Sequence, residues 1–597
     1  MFGGWEAFVT LEFLLVFSTA LILSFASTPG LIRLGHQFHF LDIPDSKEKT
    51  DSLTIPRKVH SNAIPRIGGL SIIFGFFLSS YLWDGFKYIG GIFPASVILF
   101  VTGFFDDIRP LPASFRLFIQ IFSASAAVYV SGLALNFIGL TPEYYIELPS
   151  WVGFTASVFI IVGAINAINL IDGLDGLAGG VVFIGVALLS YSHFLITRDY
   201  HILVLLSFPI MGALLGFLRF NTHPASIFMG DGGSSWLGFM VGILMLITLN
   251  KVSFESGAKV MSYLPITKMS PAVPITSVVL CLSIPVFDTF LVILGRLKRR
   301  QSPLKPDRNH FHHHLLRLGL NQSQSVVAIY FIALVSGIAG IAPIAFPRYE
   351  LWWTPWFAMI FVPCVMIIVG KTGGEVLNSL LITRSTLSHH RRIGPNLKLI
   401  LRYWEGLNRY TIYALLGLTP FFAGVPPRAL GLAASFASMV VFFTLFLPSR
   451  RMDFLQHLMI TFGATVLLAA INVNNLSMHI YGKIYNVQYF YNSAYIVLFI
   501  STLLHILITF RKNYLQVSPT DFLLVTVPLL LLLVPEPWNS QYRLSIISMR
   551  ALILFMAMRT LVKRQFTVLR RIKTIILVSL VFLMAVSLLE LRFVYLE

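Results

Sequence analysis

The chain has 597 residues, of which 56% are hydrophobic and 12% charged, with a mean hydropathy of +0.79. Soluble globular domains carry about 25% charged residues, so this composition excludes a water-soluble protein and indicates a polytopic membrane protein. The formal net charge of +18 lies in short basic clusters separated by apolar runs; no single basic face forms, which excludes a nucleic-acid partner.

Apolar runs of about 17–25 residues, the length that crosses a hydrocarbon core, recur along the chain. About eleven fall before residue 370, near 8–27, 68–83, 88–104, 115–134, 151–168, 177–194, 201–219, 236–250, 273–295, 325–345 and 352–370. About seven more follow, near 410–425, 428–447, 455–472, 493–510, 520–535, 543–559 and 573–590. The fold expected is therefore all-α and multi-pass. The first run lacks a basic n-region and a cleavage site, and reads as a retained span. Cys281 and Cys364 both lie in apolar runs and offer neither a disulfide framework nor metal-ligand spacing.

Three regions emerge: residues 1–370, a basic polar linker at 371–409, and a further multi-span region at 410–597 without a catalytic motif. Within the last, the Tyr- and Asn-rich segment 472–492 reads as an external loop, for glycan contact or for structure and partner docking. Segment 296–317, RLKRRQSPLKPDRNHFHHHLLR, holds seven Lys or Arg against one acid. Placing it in the cytoplasm with the basic segments 57–66, 371–409 and 559–573 requires an external N-terminus.

Five polar segments interrupt the apolar pattern: PRKVHSNAIPRIGG (56–69), FFDDIRPLPASFR (104–116), NAINLIDGLDGLAGG (166–180), RFNTHPASIFMGDGGSSWLG (219–238) and the His-rich 296–317. Alternate counting of spans puts all five on the cytoplasmic side, as for a shared site built from ionisable residues at span ends. Asp106 and Asp107 are adjacent, so on a helix their side chains point about 100° apart and serve different partners. Asn169, Asp172 and Asp175 are spaced by three and form either a polar stripe on one helical face or a helix-entry loop with capping aspartates. Asp231 lies among glycines before an apolar run, where helix N–H groups can face an anion. His310, His312, His313 and His314 follow six basic residues and suit anion binding better than zinc, for which no Cys and no second His cluster exist. Dispersed aspartates, cationic donors and glycine turns suit metal-assisted transfer of a phosphate-bearing group, since Mg²⁺ takes one or two carboxylates plus substrate phosphates.

These motifs, in this order over roughly residues 10–370, resemble the polyprenyl-phosphate N-acetylhexosamine-1-phosphate transferases (glycosyltransferase family 4). The H-x-HH form preceded by SPLKPDRN is similar to the WecA/TagO-like branch rather than MraY, whose PHHHHFE is absent. The resemblance implies transfer of a hexosamine 1-phosphate, best GlcNAc 1-phosphate, from a UDP-sugar to undecaprenyl or another polyprenyl phosphate, releasing UMP. It implies Mg²⁺, with Mn²⁺ as an alternative, and a bacterial inner membrane with a cytoplasmic site. By the same resemblance Asp106 is the base for the lipid phosphate, Asp107 supports activity and Asp231 holds the metal. Asn169, Asp172 and Asp175 shape the nucleotide-sugar site, Asn221 and Phe228 meet the uridine, and Arg308, His310, His312 and His313 contribute from the H-x-HH loop. Arg116 departs from the family's usual Lys, and the two are not equivalent at a site. A direct displacement and a covalent aspartyl route both remain open, as do a monomer and a homodimer. The rival classes are a transporter or flippase, which would hold its acids at mid-span, and a scaffold with an inactive transferase domain.

Overall fold

A computed structural model describes residues 3–43, 63–84, 91–141, 144–197, 203–254, 261–263, 273–301, 310–318, 320–346, 351 and 353–371. Beyond these it describes 406–417, 477–480, 483–486, 492–502 and 566–588, with isolated helical residues between 434 and 557. The chain forms two compact units, one made of Glu12–Leu380 with Ser518–Leu523, the other of Met1–Leu11, Leu381–Val517 and Leu524–Glu597.

In hydrocarbon a backbone must satisfy its own N–H and C=O groups, which a helix does. Each of the eleven apolar stretches before residue 370 is accordingly helical. In chain order these are α1 (Gly3–Gln37), α2 (Gly69–Asp84), α3 (Phe93–Ile108), α4 (Ala113–Ser131), α5 (Ser150–Ile171) and α6 (Leu177–Thr197). After a π turn at Leu203–Ser207 come α7 (Phe208–Asn221), α8 (Gly230–Leu249), α9 (Ile275–Cys281), α10 (Ser283–Lys298), the short α11 (Phe311–Arg317), α12 (Gln322–Ala345) and α13 (Trp353–Lys371). Among the described residues seven helices are long and apolar enough to cross a membrane, eight if α9 and α10 count as one. The chain is thus an all-α, multi-pass membrane protein. Its strands, among the described residues, form four antiparallel pairs. These are β1 (Leu41–Asp42) with β2 (Ile64–Pro65), β3 (Phe137–Gly139) with β4 (Tyr145–Glu147), β5 (Val252–Phe254) with β6 (Met261–Tyr263), and β7 (Ser477–Ile480) with β8 (Lys483–Asn486). The last pair falls in the Tyr- and Asn-rich segment 472–492; apart from Asn492 the rest of that segment, and most of the linker 371–409, lie outside the described residues.

One expected straight span is broken. The stretch near 273–295 bends by 93° between α9 and α10, where Leu282 leaves helical geometry at φ −119°, ψ 29°. Pro285 has no N–H to give to a preceding turn, so a new helix starts here rather than continuing.

α8 is the axis of the larger unit and is buried along its apolar length, with Asp231 in its first turn partly open. Its approach to two neighbours depends on missing side chains. A Cβ on Gly103 would stand 2.5 Å from the Gly232 Cα, and one on Gly69 would stand 2.5 Å from the Gly233 Cα. The start of α8 is thereby held directly against α3 and α2, and with it Asp231. In the smaller unit, Arg550 donates to Asn492 Oδ1 at 2.7 Å and Ser579 donates to the Leu416 carbonyl at 3.0 Å.

Candidate active site

α3 stops where its apolar stretch runs out. Arg109 is extended and donates its N–H back to the Phe105 carbonyl, and Pro110 cannot continue the helix. The last turn therefore presents Asp106 and Asp107, and their side chains diverge as adjacent positions must. The Asp106 carboxylate accepts from Arg116 Nη1 at 2.7 Å and from the Leu111 N–H at 2.6 Å. The Asp107 carboxylate accepts from the Asp231 and Gly232 N–H groups at 2.9 and 3.2 Å. The anion that the first turn of α8 meets is thus Asp107. Asp107 lies beyond the apolar part of α3; burial, then the charge of Asp231, push its carboxyl up to about 7 against the pull of those two N–H groups.

Asp231 opens α8 with its side chain 43% exposed. Asn169 donates to its Oδ1 at 3.3 Å and to Ser234 Oγ at 3.0 Å. Arg116 Nη1 lies 3.6 Å from Asp231 Oδ2 while bonded to Asp106, so one guanidinium bridges carboxylates from α3 and α8. Arg66, held 3.4 Å from Asp42, adds a second positive charge that opposes the repulsion at Asp107.

The Asn169–Asp172–Asp175 stripe on one helical face does not form. α5 ends at Ile171, Asp172 is its C-cap with φ −74°, ψ 63°, and Gly176 takes φ +79°, a conformation that side-chain-bearing residues avoid. The three side chains consequently go three ways. Asn169 faces Asp231, Asp172 is exposed, and Asp175 Oδ2 pairs with His223 Nδ1 at 2.8 Å and accepts from the Ala225 N–H at 3.1 Å. Asn221 ties this loop to the next, accepting from the Gly176 N–H at 3.1 Å and donating to the Ile227 carbonyl at 2.9 Å. Phe228 donates its N–H to the Pro65 carbonyl and accepts from the Gly68 N–H. The nucleotide-sugar residues expected from sequence are thus laced onto the PRIGG segment.

The His-rich segment joins the same region. His312 packs on the DGLDG loop, because a Cβ on Gly173 would stand 2.6 Å from its Nε2. His312 and His313 have ring centroids 4.3 Å apart. Burial, then the charge of His310, holds His313 down at about 4, and burial with neighbouring charge holds His312 well below the usual histidine range. These two are therefore neutral at physiological pH, not the cationic phosphate donors that their clustering suggested. His310 is buried beside Asp288, Nδ1 to Oδ2 at 2.9 Å. Arg308 lies outside the described residues.

Among the described residues no three His, Cys, Asp or Glu side chains are gathered closely enough to hold a metal ion by themselves. A divalent cation completed by substrate phosphates does fit, because Mg²⁺ uses one or two carboxylates and fills its remaining positions with water and phosphate. Asp231, open on one side and beside two other carboxylates, is the carboxylate suited to that.

A model of glycosyl transferase family 4 matches residues 89–249, the stretch from before α3 through α8. A probable undecaprenyl-phosphate N-acetylglucosaminyl 1-phosphate transferase of Bacillus subtilis (strain 168) is 31% identical over 371 residues, 61% of this chain and 92% of that protein. The chain belongs to the polyprenyl-phosphate N-acetylhexosamine-1-phosphate transferase family. Two further relatives of this transferase carry similar descriptions. The decaprenyl-phosphate N-acetylglucosaminephosphotransferase of Mycolicibacterium smegmatis is 31% identical, over 53% of this chain and 79% of that protein. The undecaprenyl-phosphate alpha-N-acetylglucosaminyl 1-phosphate transferase of Haemophilus influenzae is 32% identical, over 48% and 77%.

Sequence reading missed Asp288 and His223 and left Arg116 without a role. Arg116 and His223 stand inside polar segments but outside any spaced motif. Asp288, in VFDTFLV, carried a usable signal: a single carboxylate in an apolar run is costly and rarely idle.

Proposed function

We propose that this transferase moves N-acetylglucosamine 1-phosphate from UDP-GlcNAc to a polyprenyl phosphate, releasing UMP, at the cytoplasmic face of a bacterial inner membrane. The observation that carries this reading is the meeting of Asp106, Asp107, Asp231 and Arg116 at adjoining ends of α3, α4 and α8. The acceptors and sugar named for the relatives support the choice of substrates.

In the proposed reaction a lipid phosphate oxygen bonds to the β-phosphorus of the donor. The bond from that phosphorus to the bridging oxygen breaks, and that oxygen departs on UMP. Arg116 draws the lipid phosphate to Asp106, which takes the proton of a phosphate that arrives protonated. Asp107 fixes the first turn of α8 and so the direction of Asp231. Asn169, Asp172 and Asp175 position the nucleotide-sugar, Asn221 holds the loop on which Phe228 meets the uracil, and His310, His312 and His313 close the donor side. Asp231 would hold Mg²⁺, which when bound supplies positive charge to the diphosphate oxygens. Direct displacement is the route proposed, with Asp106 as base and not as nucleophile; trapping a phosphorylated aspartate decides between it and the two-step route.

The test is UMP release by the purified chain from a panel of UDP-sugars, with polyprenyl phosphate and Mg²⁺. UMP from UDP-GlcNAc that requires the lipid supports the reading. No UMP from any donor sinks it, and phosphorylated Asp106 or Asp107 after donor alone replaces direct displacement with a two-step route.

A further inference from the structure

Asp288 sits in the apolar α10 with its side chain only 5% exposed, where an ionisable group is costly. Both of its oxygens go to one place. Oδ1 accepts the Phe311 N–H at 2.8 Å and Oδ2 meets His310 Nδ1 at 2.9 Å. A carboxylate oxygen only accepts, so the proton lies on Nδ1, and the pairing leaves Nε2 as the nitrogen for a ligand.

The His310 ring stacks on His312 with centroids 5.7 Å apart and planes 7° apart, and His312 rests on Gly173 beside Asp172. α10 itself packs on α5, the helix that carries Asn169 to Asp231. His310 is therefore fixed from behind by Asp288 and stands in a row of rings that ends at the nucleotide-sugar loop. The other titratable groups on the elements around it are few. α11 brings His312, His313, His314 and Arg317, α10 brings Arg296 and Lys298, and α12 brings Tyr330, whose hydroxyl donates to the Gly176 carbonyl at 2.5 Å. Over its described side chains α13 brings Cys364, which is exposed. Among the described residues Asp288 is thus the carboxylate paired with His310, while His312 and His313 beside it are kept neutral.

We propose that Asp288 is a positioning residue of the transferase. By holding His310 through Nδ1 it sets the orientation and tautomer of the ring, so that Nε2 is turned towards the nucleotide-sugar. The inference rests on the transferase reading above. Carboxylates behind metal-ligating histidines orient the ring in the same way, and their loss costs about 10–100-fold in affinity or activity, the scale expected here.

Asp288→Asn separates this role from simple support of α11. The amide oxygen still accepts from the Phe311 N–H, but the amide N–H now faces Nδ1 and the ring must turn or change tautomer. His310→Asn is the companion, keeping an N–H donor for Asp288 where Nδ1 stood and removing Nε2. In the full chain with UDP-GlcNAc, polyprenyl phosphate and Mg²⁺, Asp288→Asn should lower kcat/KM for the donor by about 10–100-fold. The loss should be carried mainly by a raised KM for the UDP-sugar, with KM for the lipid phosphate unchanged. His310→Asn should lose at least as much, and the double variant no more than His310→Asn alone, since one residue acts through the other. The proposal is overturned if Asp288→Asn stays within threefold of the parent, if the two losses multiply, or if both KM values move together. Should Asp288→Asn fail to fold, a folded His310→Asn with the parent's donor KM overturns it equally. A parent chain without turnover removes the transferase reading and this proposal with it, an outcome distinct from an active parent that is indifferent to Asp288.

Discussion

Acid should loosen the H-x-HH corner before it unfolds the rest of the larger unit. His313 titrates at about 4 in the folded chain, against 6.5 for a free histidine. A lowered histidine pKa means that the unfolded chain binds the proton first. Its contribution is therefore intact above about pH 6.5 and is lost progressively as the pH falls towards 4. For those two values the loss is about 2 kcal/mol by pH 5, and roughly half of that once screening at a partly open ring is allowed for. His313→Gln takes up no proton and removes this component. In metal-free detergent solution, the apparent unfolding midpoint should fall between pH 7.5 and pH 5 by less in His313→Gln than in the parent. Equal falls in the two proteins would refute the assignment of a half-buried, neutral His313.

Three further outcomes follow from the geometry. Arg116→Ala should cut turnover at least 10-fold, in line with loss of a group that bridges two carboxylates and meets phosphate, and Arg116→Lys should recover only part of that loss, because a point charge serves one carboxylate at a time; parent-level activity in Arg116→Lys would contradict the bridging role. Gly103→Ala would bring a methyl group to 2.5 Å from the Gly232 Cα and should destabilise the unit by about 1–3 kcal/mol, read as a lower unfolding midpoint; an unchanged midpoint would show that α3 and α8 can separate freely. A chain ending near residue 395 should retain transferase activity, because the site residues all lie in the unit built mainly from Glu12–Leu380; a folded but inactive truncation would show that residues 410–597 take part.

The helices were legible because hydrocarbon thickness fixes their length, and apolar runs such as 151–168 and 325–345 contain little else. The convergence of FFDD, NLIDGLDG and MGDGG was legible because costly polar groups at span ends have few reasons to be there. Local conformation was not. Spacing by three suggested one helical face for Asn169, Asp172 and Asp175, but the turn at Gly176 sends them to different partners. Periodicity cannot register a helix that stops. The charge state of the histidines was equally hidden, because four clustered imidazoles read as cationic until burial and mutual repulsion are known. Arg116 and Asp288 act through partners 10 and 22 residues away in sequence, a separation that no local motif reveals.

The most direct measurement is the joint yield of UMP and lipid-linked sugar diphosphate from UDP-GlcNAc, polyprenyl phosphate and Mg²⁺, for the parent chain and Asp231→Ala. The account predicts one UMP per lipid product from the parent and neither product from Asp231→Ala at equal folded protein. UMP without lipid product, or full activity in Asp231→Ala, would contradict it.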